Sequence, residues 1–466
     1  MLEKFLNIFR IPDLRKRVLF TLGILAVYRL GAWIPTPGTN TELIARMFDQ
    51  QGGSALGLMN LFGGGTLRRM TIFALGIMPY ITASIIFQLL TVVYEPLARI
   101  QKEGELGRRK ITQWTRYMTV VLGVLQSVGI ALILTRQGMV LNPGIAFDLM
   151  TVLTLTAGTT FIMWLGEQIT DRGIGNGMSL LIFAGIVAGL PRGVGELVNK
   201  IQSGAWGSFT FLFVIFMLVA MIAVVAFIVF VERSERRIPI QSARRIVGRR
   251  MMGGQSSHLP LKVNSGGVMP IIFASSILSA PLLFAQADWI QNPTTAFARG
   301  IQTMIQALAP GYPWYVFLNM IAIVFFAYFY VSIVMKPDDI ADNFRKSGSF
   351  IPGIRPGKRT SDFINDILTR ITLVGALYLC VITLVPTFMM SGLRFDKLWL
   401  IGRVFENLPN WMTHGLNVNF YFGGTSLLIV VGVAMDTINQ VESQLIMRHY
   451  EGFSPRSGRI RGRKTW

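Results

Sequence analysis

Ten long apolar runs dominate the chain and restrict its fold more than any other feature. A helix needs about 20 mostly apolar residues to cross the hydrocarbon core of a bilayer, and the runs approach or exceed that length. They lie at 18–34, 70–93, 117–135, 149–170, 178–191, 208–231, 267–284, 313–335, 369–391 and 419–438. Only 15% of the 466 residues are charged and 52% are apolar, which is unusual for a soluble domain. The sequence therefore predicts an all-α polytopic membrane protein.

Basic residues alternate from loop to loop. Ten spans place both termini on one side, and most of the 44 Lys and Arg residues fall on that side, chiefly in 99–116, 232–262 and 336–370. The loop 285–311, on the other side, contains only Arg299 among the basic residues. Cytoplasmic loops of membrane proteins carry such an excess, so we expect both termini in the cytoplasm. A net charge of +20 further favours contact with anionic lipid or an RNA-rich partner.

The spans divide the chain into five plus five, which allows an inverted repeat. The N-terminus is charged and amphipathic and lacks a cleavage signal, so we expect a retained cytosolic helix. No segment is predicted to form a separate soluble domain. The expected divisions are an N-terminal helix at 1–17, two halves at 18–195 and 196–441, large cytosolic loops at 232–266 and 336–366, and a basic tail at 442–466.

The middles of the spans carry almost no ionisable side chains, whereas ion-coupled transporters usually hold such groups there. Glu167, Asp171 and Asp436 fall at the cytoplasmic ends of spans, and Arg29 falls near the outer end of the first span. We expect these residues to pair at the membrane interface. This pattern disfavours a secondary transporter, and the shortage of polar residues disfavours an insertase or scramblase with a hydrophilic groove.

Signatures of catalysis are missing from the sequence. The stretch "DRGIGNG" (171–177) follows no strand, so it is predicted to be a tight cytosolic turn and not a phosphate cradle. The one cysteine, Cys380, lies in an apolar run, and His258, His414 and His449 are far apart. We therefore expect no enzyme activity, no catalytic residues, no metal site and no cofactor. Energy for any transport has to come from a partner.

The stretch "LMNLFGGGTLRRM" (58–70) is too short to cross a bilayer and too apolar for an ordinary loop. It directly precedes the second span, in which Ile81 and Ile85 are four residues apart and so share a helix face. Pro79 near the start of this span and Pro270 near the start of the seventh are predicted to be points where each helix bends.

Eight stretches together resemble the SecY family of protein-conducting channel subunits, and they extend from the first span to the tenth. They are "YRLGAWIPTPG" (28–38), "FALGIMPYITASIIFQLL" (73–90), "GIGNGMSLLIFAGIVAGLP" (173–191), "FVERSERRIPIQ" (230–241), "IFASSI" (272–277), "KSGSFIPGIRPGKRT" (346–360), "RITLVGALYL" (370–379) and "FYFGGTSLLIVVGVAMD" (420–436). The resemblance implies ten helices in two inverted five-helix halves around an hourglass pore, with a re-entrant half-helix, the plug.

The resemblance also implies where the pore closes. A ring of apolar side chains excludes water and ions when the pore is empty, and it maps to Ile81, Ile85, Ile186, Ile272, Ile277 and Ile429. The plug maps to about 56–67, with Leu58, Asn60, Leu61, Phe62, Gly63, Gly64 and Gly65. The glycines are expected to give this displaceable element its flexibility, and Arg68 and Arg69 suit an aqueous vestibule better than lipid.

A lateral gate is implied between the second and third spans on one side and the seventh and eighth on the other. Polar side chains along this seam are expected to hold it closed through interhelical hydrogen bonds of about 0.6 kcal/mol each. The candidates are Gln88, Thr91, Gln126, Ser275 and Ser276. The alternative is that some of these side chains simply bond to their own backbone.

The two basic loops are implied to dock the ribosome, through rRNA phosphates, or the motor ATPase SecA. The candidates are Arg236, Arg237, Arg244, Arg245, Arg249, Arg250, Arg355, Lys358 and Arg359. Arg355, framed by Pro and Gly, is the candidate for motor function. Other implied partners are the SecE and SecG subunits, signal sequences with nascent or precursor polypeptides, and anionic lipids. The implied function is passage of unfolded secretory polypeptides across the bacterial cytoplasmic membrane, with sideways release of hydrophobic segments.

Overall fold

The computed structural model describes residues 11–50, 60, 63–202, 210–242, 245–247, 250–252, 256–284, 295–307, 312–391 and 424–451. The helices are α1 (Pro12–Gly31), α2 (Thr41–Gln50), α3 (Met78–Val93), α4 (Glu95–Lys102), α5 (Glu105–Arg136), α6 (Ile145–Arg172), α7 (Gly177–Gln202), α8 (Thr210–Arg233), α9 (Met269–Phe284), α10 (Ala296–Ala307), α11 (Pro313–Val334), α12 (Pro337–Ser347), α13 (Lys358–Ser391) and α14 (Gly424–Glu451). The strands are β1 (Glu235–Ser242), β2 (Arg245–Val247), β3 (Arg250–Met252), β4 (Ser256–Lys262) and β5 (Ser349–Phe350).

Each of the ten apolar runs overlaps with a helix: α1, α3, α5 to α9, α11, α13 and α14. Within the described residues, six helices are long and apolar enough to cross a membrane on their own. Helices α3 and α4 qualify as one further span, broken by a bend of 100° between them. The prediction of a polytopic, helical membrane protein is therefore confirmed.

Helix α3 begins eight residues later than its apolar run. Residues 63–77 form successive turns, and the left-handed backbone of Met70 (φ +44°) and Gly76 (φ +58°) is incompatible with a continuous helix. Pro79 then lies in the first turn of α3, where its missing N–H leaves no helical hydrogen bond unmade. Pro270 is likewise the second residue of α9. The expectation that these prolines bend their helices was wrong, because both start them.

The helices form two groups, α1 to α7 and α8 to α14, which contact each other where α3 packs on α9 and where α7 packs on α14. A central apolar cluster fills the space between them. Its buried members include Ile24 of α1, Ile162 of α6, Ile323 of α11 and Leu428 of α14. Nearly every span therefore contributes to one shared core.

The two large basic loops are joined into one folded unit, which the sequence did not predict. β1 pairs antiparallel with β4 from the same loop and with β5 from the loop more than 100 residues later. Beneath this sheet, Ile238, Leu261, Ile351 and Ile364 are buried against α12 and the first turns of α13. We call β1, β4, β5, α12 and the start of α13 the loop module. We call the side of the molecule that carries the loop module the basic side.

On the opposite side, α2 and residues 63–75 pack against the ends of α5 and α6. Ile44, Leu67, Met70 and Leu75 are buried there in a second apolar cluster. The connection after α1 holds this region in place: the Thr36 amide donates to the Met70 carbonyl at 2.7 Å, and the Ile72 amide donates to the Ile34 carbonyl at 3.0 Å. Residues 63–75 are thus part of a packed layer.

Several predicted boundaries fall inside helices. α7 continues through Pro191 to Gln202, so the boundary proposed between 195 and 196 lies within it. α1 includes residues 12–17 of the predicted N-terminal helix, and α14 reaches Glu451, within the predicted tail. Residues 1–10 and 452–466 lie outside the described part of the chain.

Candidate functional site

Five of the six isoleucines predicted to form the pore ring lie in one apolar cluster between the two helix groups. They come from four helices: α3, α7, α9 and α14. Ile81, Ile85, Ile186, Ile272 and Ile429 are all buried. Ile81 and Ile85 share one face of α3, as their spacing predicted.

Two cavities lie on either side of this cluster. The larger, about 470 Å³, faces the basic side, and its lining includes Gln88, Arg116, Glu167 and Asn176. The smaller, about 20 Å³, is lined by Gly63, Leu75, Gly76, Ile77, Met78, Ile81, Ile182, Ile272, Ser275 and Ser276. It lies next to the turns that precede α3.

Three residues line both cavities and so separate them: Ile81 of α3, Ile182 of α7 and Ile272 of α9. We call these three the isoleucine seal. Branched apolar side chains at a constriction favour dewetting, which blocks ions as well as water. The seal therefore divides a wide space with charged and polar residues in its lining from a narrow, mainly apolar one.

Ile182 was missed by the sequence analysis. Ile186, which was chosen, lies one turn further along α7; it is buried in the same cluster but lines neither cavity. Residues four apart share a helix face, so periodicity does not tell which turn reaches the pore. Met178, one turn before Ile182, lines the larger cavity.

Ile277 does not join the other five predicted pore-ring isoleucines in the apolar cluster. Its side chain is 42% exposed, whereas Ile272 on the same helix is 6% exposed. At 3.6 residues per turn, positions five apart point in directions about 140° apart. Two isoleucines at this spacing do not both face one pore, and this signal was available in the sequence.

Gly64 makes the closest approach between the predicted plug region and a pore helix. A Cβ on Gly64 would overlap with the carbonyl oxygen of Gly185 on α7, and the Gly64 backbone is left-handed with φ +68°. Gly65 is also left-handed, at φ +86°. Glycine is therefore required here by conformation and by space, whereas the sequence analysis attributed it to flexibility.

Asn60 fixes the turn that carries these glycines. Its side-chain oxygen accepts the Arg68 amide at 2.9 Å, and its carbonyl accepts the Gly65 amide at 2.9 Å. Arg69 lies over the Trp33 ring with its guanidinium carbon 4.1 Å from the ring centroid. Gly63 lines the small cavity directly beside the seal. The other plug candidates, Leu58, Leu61 and Phe62, lie outside the described residues.

The gate candidates are distributed over three helices, α3, α5 and α9. Gln88 donates to Ser84 at 3.1 Å and Thr91 donates to the Gln88 carbonyl at 2.8 Å, both within α3. Ser275 donates to the Ile272 carbonyl at 3.1 Å, within α9. Thr91 and Ser275 thus bond to their own helix backbone, the alternative raised from the sequence, whereas Gln88 bonds to a side chain of its own helix. The Gln126 side-chain oxygen on α5 and the Ser276 hydroxyl on α9 are buried without a hydrogen-bond partner in the described part of the chain.

Two of the acidic residues at span ends are paired with a basic residue of another helix or strand, as expected. Arg116 of α5 binds Glu167 of α6 with 2.7 Å between Nε and Oε1. Lys262, at the end of β4, lies 3.6 Å from the Asp436 carboxylate of α14. Such pairs at the edge of the apolar layer keep the charges out of its interior.

The predicted turn "DRGIGNG" joins α6 to α7. Asn176 caps α7, with its side-chain oxygen accepting the Met178 amide at 3.1 Å. The Ile174 amide donates to the Thr21 hydroxyl of α1 at 3.1 Å, and Gly175 is left-handed at φ +89°. Each of these contacts is structural.

The docking candidates lie on the loop module and the β2–β3 hairpin that extends from it. Arg355 is exposed on a rigid turn: Gly353 and Gly357 are left-handed, and the buried Thr360 donates to the Arg355 carbonyl at 3.0 Å. Lys358 and Arg359 are exposed beside it, and Arg236 is exposed on β1.

The remaining docking candidates differ in their settings. Arg237 is already paired with Glu235 at 2.6 Å. In the β2–β3 hairpin, Arg250 lies opposite Val247 next to the turn, and Arg245 lies opposite Met252 at the other end of the ladder. Arg244 and Arg249 lie outside the described residues.

Comparisons with known proteins point to one family over most of the chain. The SecY family model matches residues 71–438. The chain is 48% identical over 443 residues to the protein translocase subunit SecY of Escherichia coli strain K12, covering 94% of this chain and 93% of that one. It is 46% identical over 467 residues to the protein translocase subunit SecY of Streptomyces griseus, covering 97% and 100% of the two chains.

Solved structures share the fold. One described as a protein conducting channel superposes with a TM-score of 0.64 at 16% identity, covering 95% of both chains. The Sec61 channel in a canine ribosome-channel complex from the endoplasmic reticulum gives 0.61 at 16% identity, again over 95% of both chains. With a family model matching most of its length and relatives near half identity over nearly all of it, the chain belongs to the SecY family.

Proposed function

We propose that this protein is the pore-forming subunit of a protein-conducting channel, and not an enzyme. It translocates unfolded secretory polypeptides across the bacterial cytoplasmic membrane and releases hydrophobic segments sideways into lipid. The observation that carries this proposal is the isoleucine seal between two cavities. Apolar side chains close around an empty pore and contact a passing chain without binding it chemically, so they accept many sequences.

The segment around 56–67 acts as a plug in this proposal. Gly63 lines the small cavity next to the seal, and Gly64 packs directly on Gly185 of a pore helix. A segment in this position blocks the pore on the side opposite the basic loops. Non-helical backbone is tolerated at this depth because protein surrounds it.

The lateral gate opens between α3 and α9. The proposal is supported by the direct packing of these helices, which belong to different groups, and by the larger cavity, whose lining combines Gln88 of α3 with Phe273 of α9. A hydrophobic signal sequence in this cavity reaches lipid when the α3–α9 seam separates.

The loop module and the hairpin extending from it dock the partner that drives transport. SecA or the ribosome binds the exposed basic residues, with rRNA phosphates as the ribosomal ligand. Arg355 is the residue proposed for motor function because its turn presents it rigidly. SecE and SecG are the proposed subunit partners, and anionic lipids contact the basic loop ends. The basic side, with both termini, faces the cytoplasm by the distribution of Lys and Arg.

Reconstitution tests the proposal. Vesicles containing this chain with its subunits are given SecA, ATP and a secretory precursor, and the precursor protected from added protease is measured. Protection that depends on this chain and on ATP is expected. Equal protection in vesicles lacking the chain would contradict the proposed channel.

A further inference from the structure

The cytosolic ends of α8 and α9 are held together by a continuous series of hydrogen bonds. The β1–β4 ladder ends with Glu235 opposite Lys262. One residue further, the Val263 amide donates to the Ser234 carbonyl at 3.0 Å. Beyond that, the Asn264 side-chain amide donates to Oε1 of Glu232 at 2.6 Å. A side-chain bond therefore continues the sheet ladder to the ends of the two spans.

Asn264 uses its amide group for a second bond. The same nitrogen lies 3.1 Å from the Gly267 carbonyl oxygen, and the Gly267 amide donates back to the Asn264 carbonyl at 3.3 Å. Asn264 is 4% exposed, so its donors have little access to water. Asparagine offers two N–H donors on a short stem, which aspartate and serine do not. The residue thus shapes the turn that ends two residues before α9 begins.

The connector 262–267 has little room to move by itself. A Cβ on Gly375 of α13 would lie 2.7 Å from the Val263 carbonyl oxygen. Lys262 pairs with Asp436 of α14, and a Cβ on Gly432 of α14 would lie 2.7 Å from the Val268 side chain. Three spans, α8, α13 and α14, therefore pack around the connector.

The connector leads directly into the seal. Val268, Ile271 and Ile272 are buried at the start of α9, and Ile272 lines both cavities. Ile272 follows Asn264 by eight positions, a separation equal to about two turns of a helix. A shift of the backbone at Asn264 is therefore passed to Ile272 along a short path.

We propose that Asn264 is a positioning residue: its hydrogen bond to Glu232 fixes the start of α9 so that Ile272 stays in the closed seal. Glu232 holds α9 against α8 through this bond, and the bond couples the loop module to the seal. The inference rests on the proposed channel function. It adds to that function a specific pair of residues, outside the lining of both cavities, that sets the closed state of the seal.

The test uses the complete channel complex reconstituted in planar bilayers and in vesicles. Asn264→Leu removes both side-chain bonds at similar volume, and Glu232→Leu removes the bond between α8 and the connector but leaves the one to Gly267. Both are expected to raise resting ion conductance roughly tenfold, which corresponds to about 1.4 kcal/mol. Glu232→Gln keeps an acceptor oxygen and is expected to conduct like the wild type. Ser265→Ala, in the same turn with a bond to the Lys262 carbonyl, is the matched control.

The outcomes separate the inference from the proposed function. If wild-type vesicles translocate precursor but Asn264→Leu conducts like the wild type, only the inference is contradicted. If Glu232→Gln and Glu232→Leu show the same conductance, the inference is also contradicted, because the acceptor oxygen at position 232 would then have no effect. Failure of both leucine variants to assemble, with Ser265→Ala normal, would show a general structural role instead. A wild type that does not translocate would contradict the channel itself.

Discussion

Ile81 of α3 and Ile272 of α9 each line both of the cavities that lie on opposite sides of the seal. The two helices belong to different helix groups and pack directly on each other. The closed pore and the proposed lateral gate therefore share these two helices, so a change that separates α3 from α9 opens both. This coupling leads to predictions that distinguish the seal from the parts around it.

Ile182→Ser is predicted to raise resting ion conductance roughly tenfold, because a hydroxyl at the constriction favours water where an apolar group excludes it. Single-channel recording in planar bilayers measures this change. Ile277→Ser, on the exposed face of α9, is the control and is predicted to conduct like the wild type. Equal conductance in the two variants would show that Ile182 is not part of the seal.

Gly64→Ala is predicted to displace the plug region, because the added methyl group overlaps with the Gly185 carbonyl oxygen. Resting conductance should rise while SecA-driven translocation continues. Gly76→Ala is the matched control: Gly76 is also left-handed, at φ +58°, but a Cβ there meets nothing within 4 Å. A leak of the same size in both would point to backbone strain and not to contact with α7.

Deleting residues 58–65 tests the plug more broadly. Translocation is predicted to remain, since the seal residues are untouched, and resting ion leak is predicted to increase. Ion conductance recorded in the absence of precursor measures this leak. A deletion variant as tight as the wild type would count against a plug in this segment.

Arg355→Glu is predicted to abolish SecA-driven translocation in vesicles while ribosome-dependent insertion is less affected. The reversed charge sits on a turn held by Thr360, so the turn itself should persist. Arg345→Glu reverses a charge on α12 of the same module and is predicted to have a smaller effect. Equal loss of both transport routes in Arg355→Glu would contradict a motor-specific role.

Ile364→Ala is predicted to destabilise the loop module by about 2–5 kcal/mol, as expected when a large buried side chain is truncated. Ile364 is fully buried in the module core. Limited proteolysis should therefore cut the 336–366 loop faster, and SecA binding should weaken. Resting conductance is predicted to change less than in Ile182→Ser, because Ile364 lines neither cavity.

The spans were predictable because each one is an apolar run of nearly the required length. Ile81 was predictable as well, since its spacing to Ile85 places both on one face of α3. The choice between Ile182 and Ile186 was not, because residues one turn apart share a face and only the packing against α3 and α9 selects between them. For Ile277, the five-residue spacing to Ile272 already argued against a shared pore face.

The loop module was missed for a different reason. The alternating Ile238 and Ile240 in "RRIPIQ" is a strand signal, but the short strands are dense in arginine and resemble an ordinary basic loop. The pairing of Gln241 with Phe350 joins residues more than 100 positions apart, and no local pattern specifies it. The start of α3 was misplaced because the turns at 70–77 are nearly as apolar as the helix that follows them.

The most direct test of the channel places a photocrosslinking side chain at Ile81 in the reconstituted complex and arrests a secretory precursor in mid-transit with a bulky tag. A crosslink to the precursor that requires SecA and ATP is predicted at Ile81 and at Ile85. The same probe at Val374, exposed on the outer surface of α13, is predicted to give none. Crosslinks at Val374 but not at Ile81 would place the precursor at the lipid-facing surface and contradict passage through the isoleucine seal.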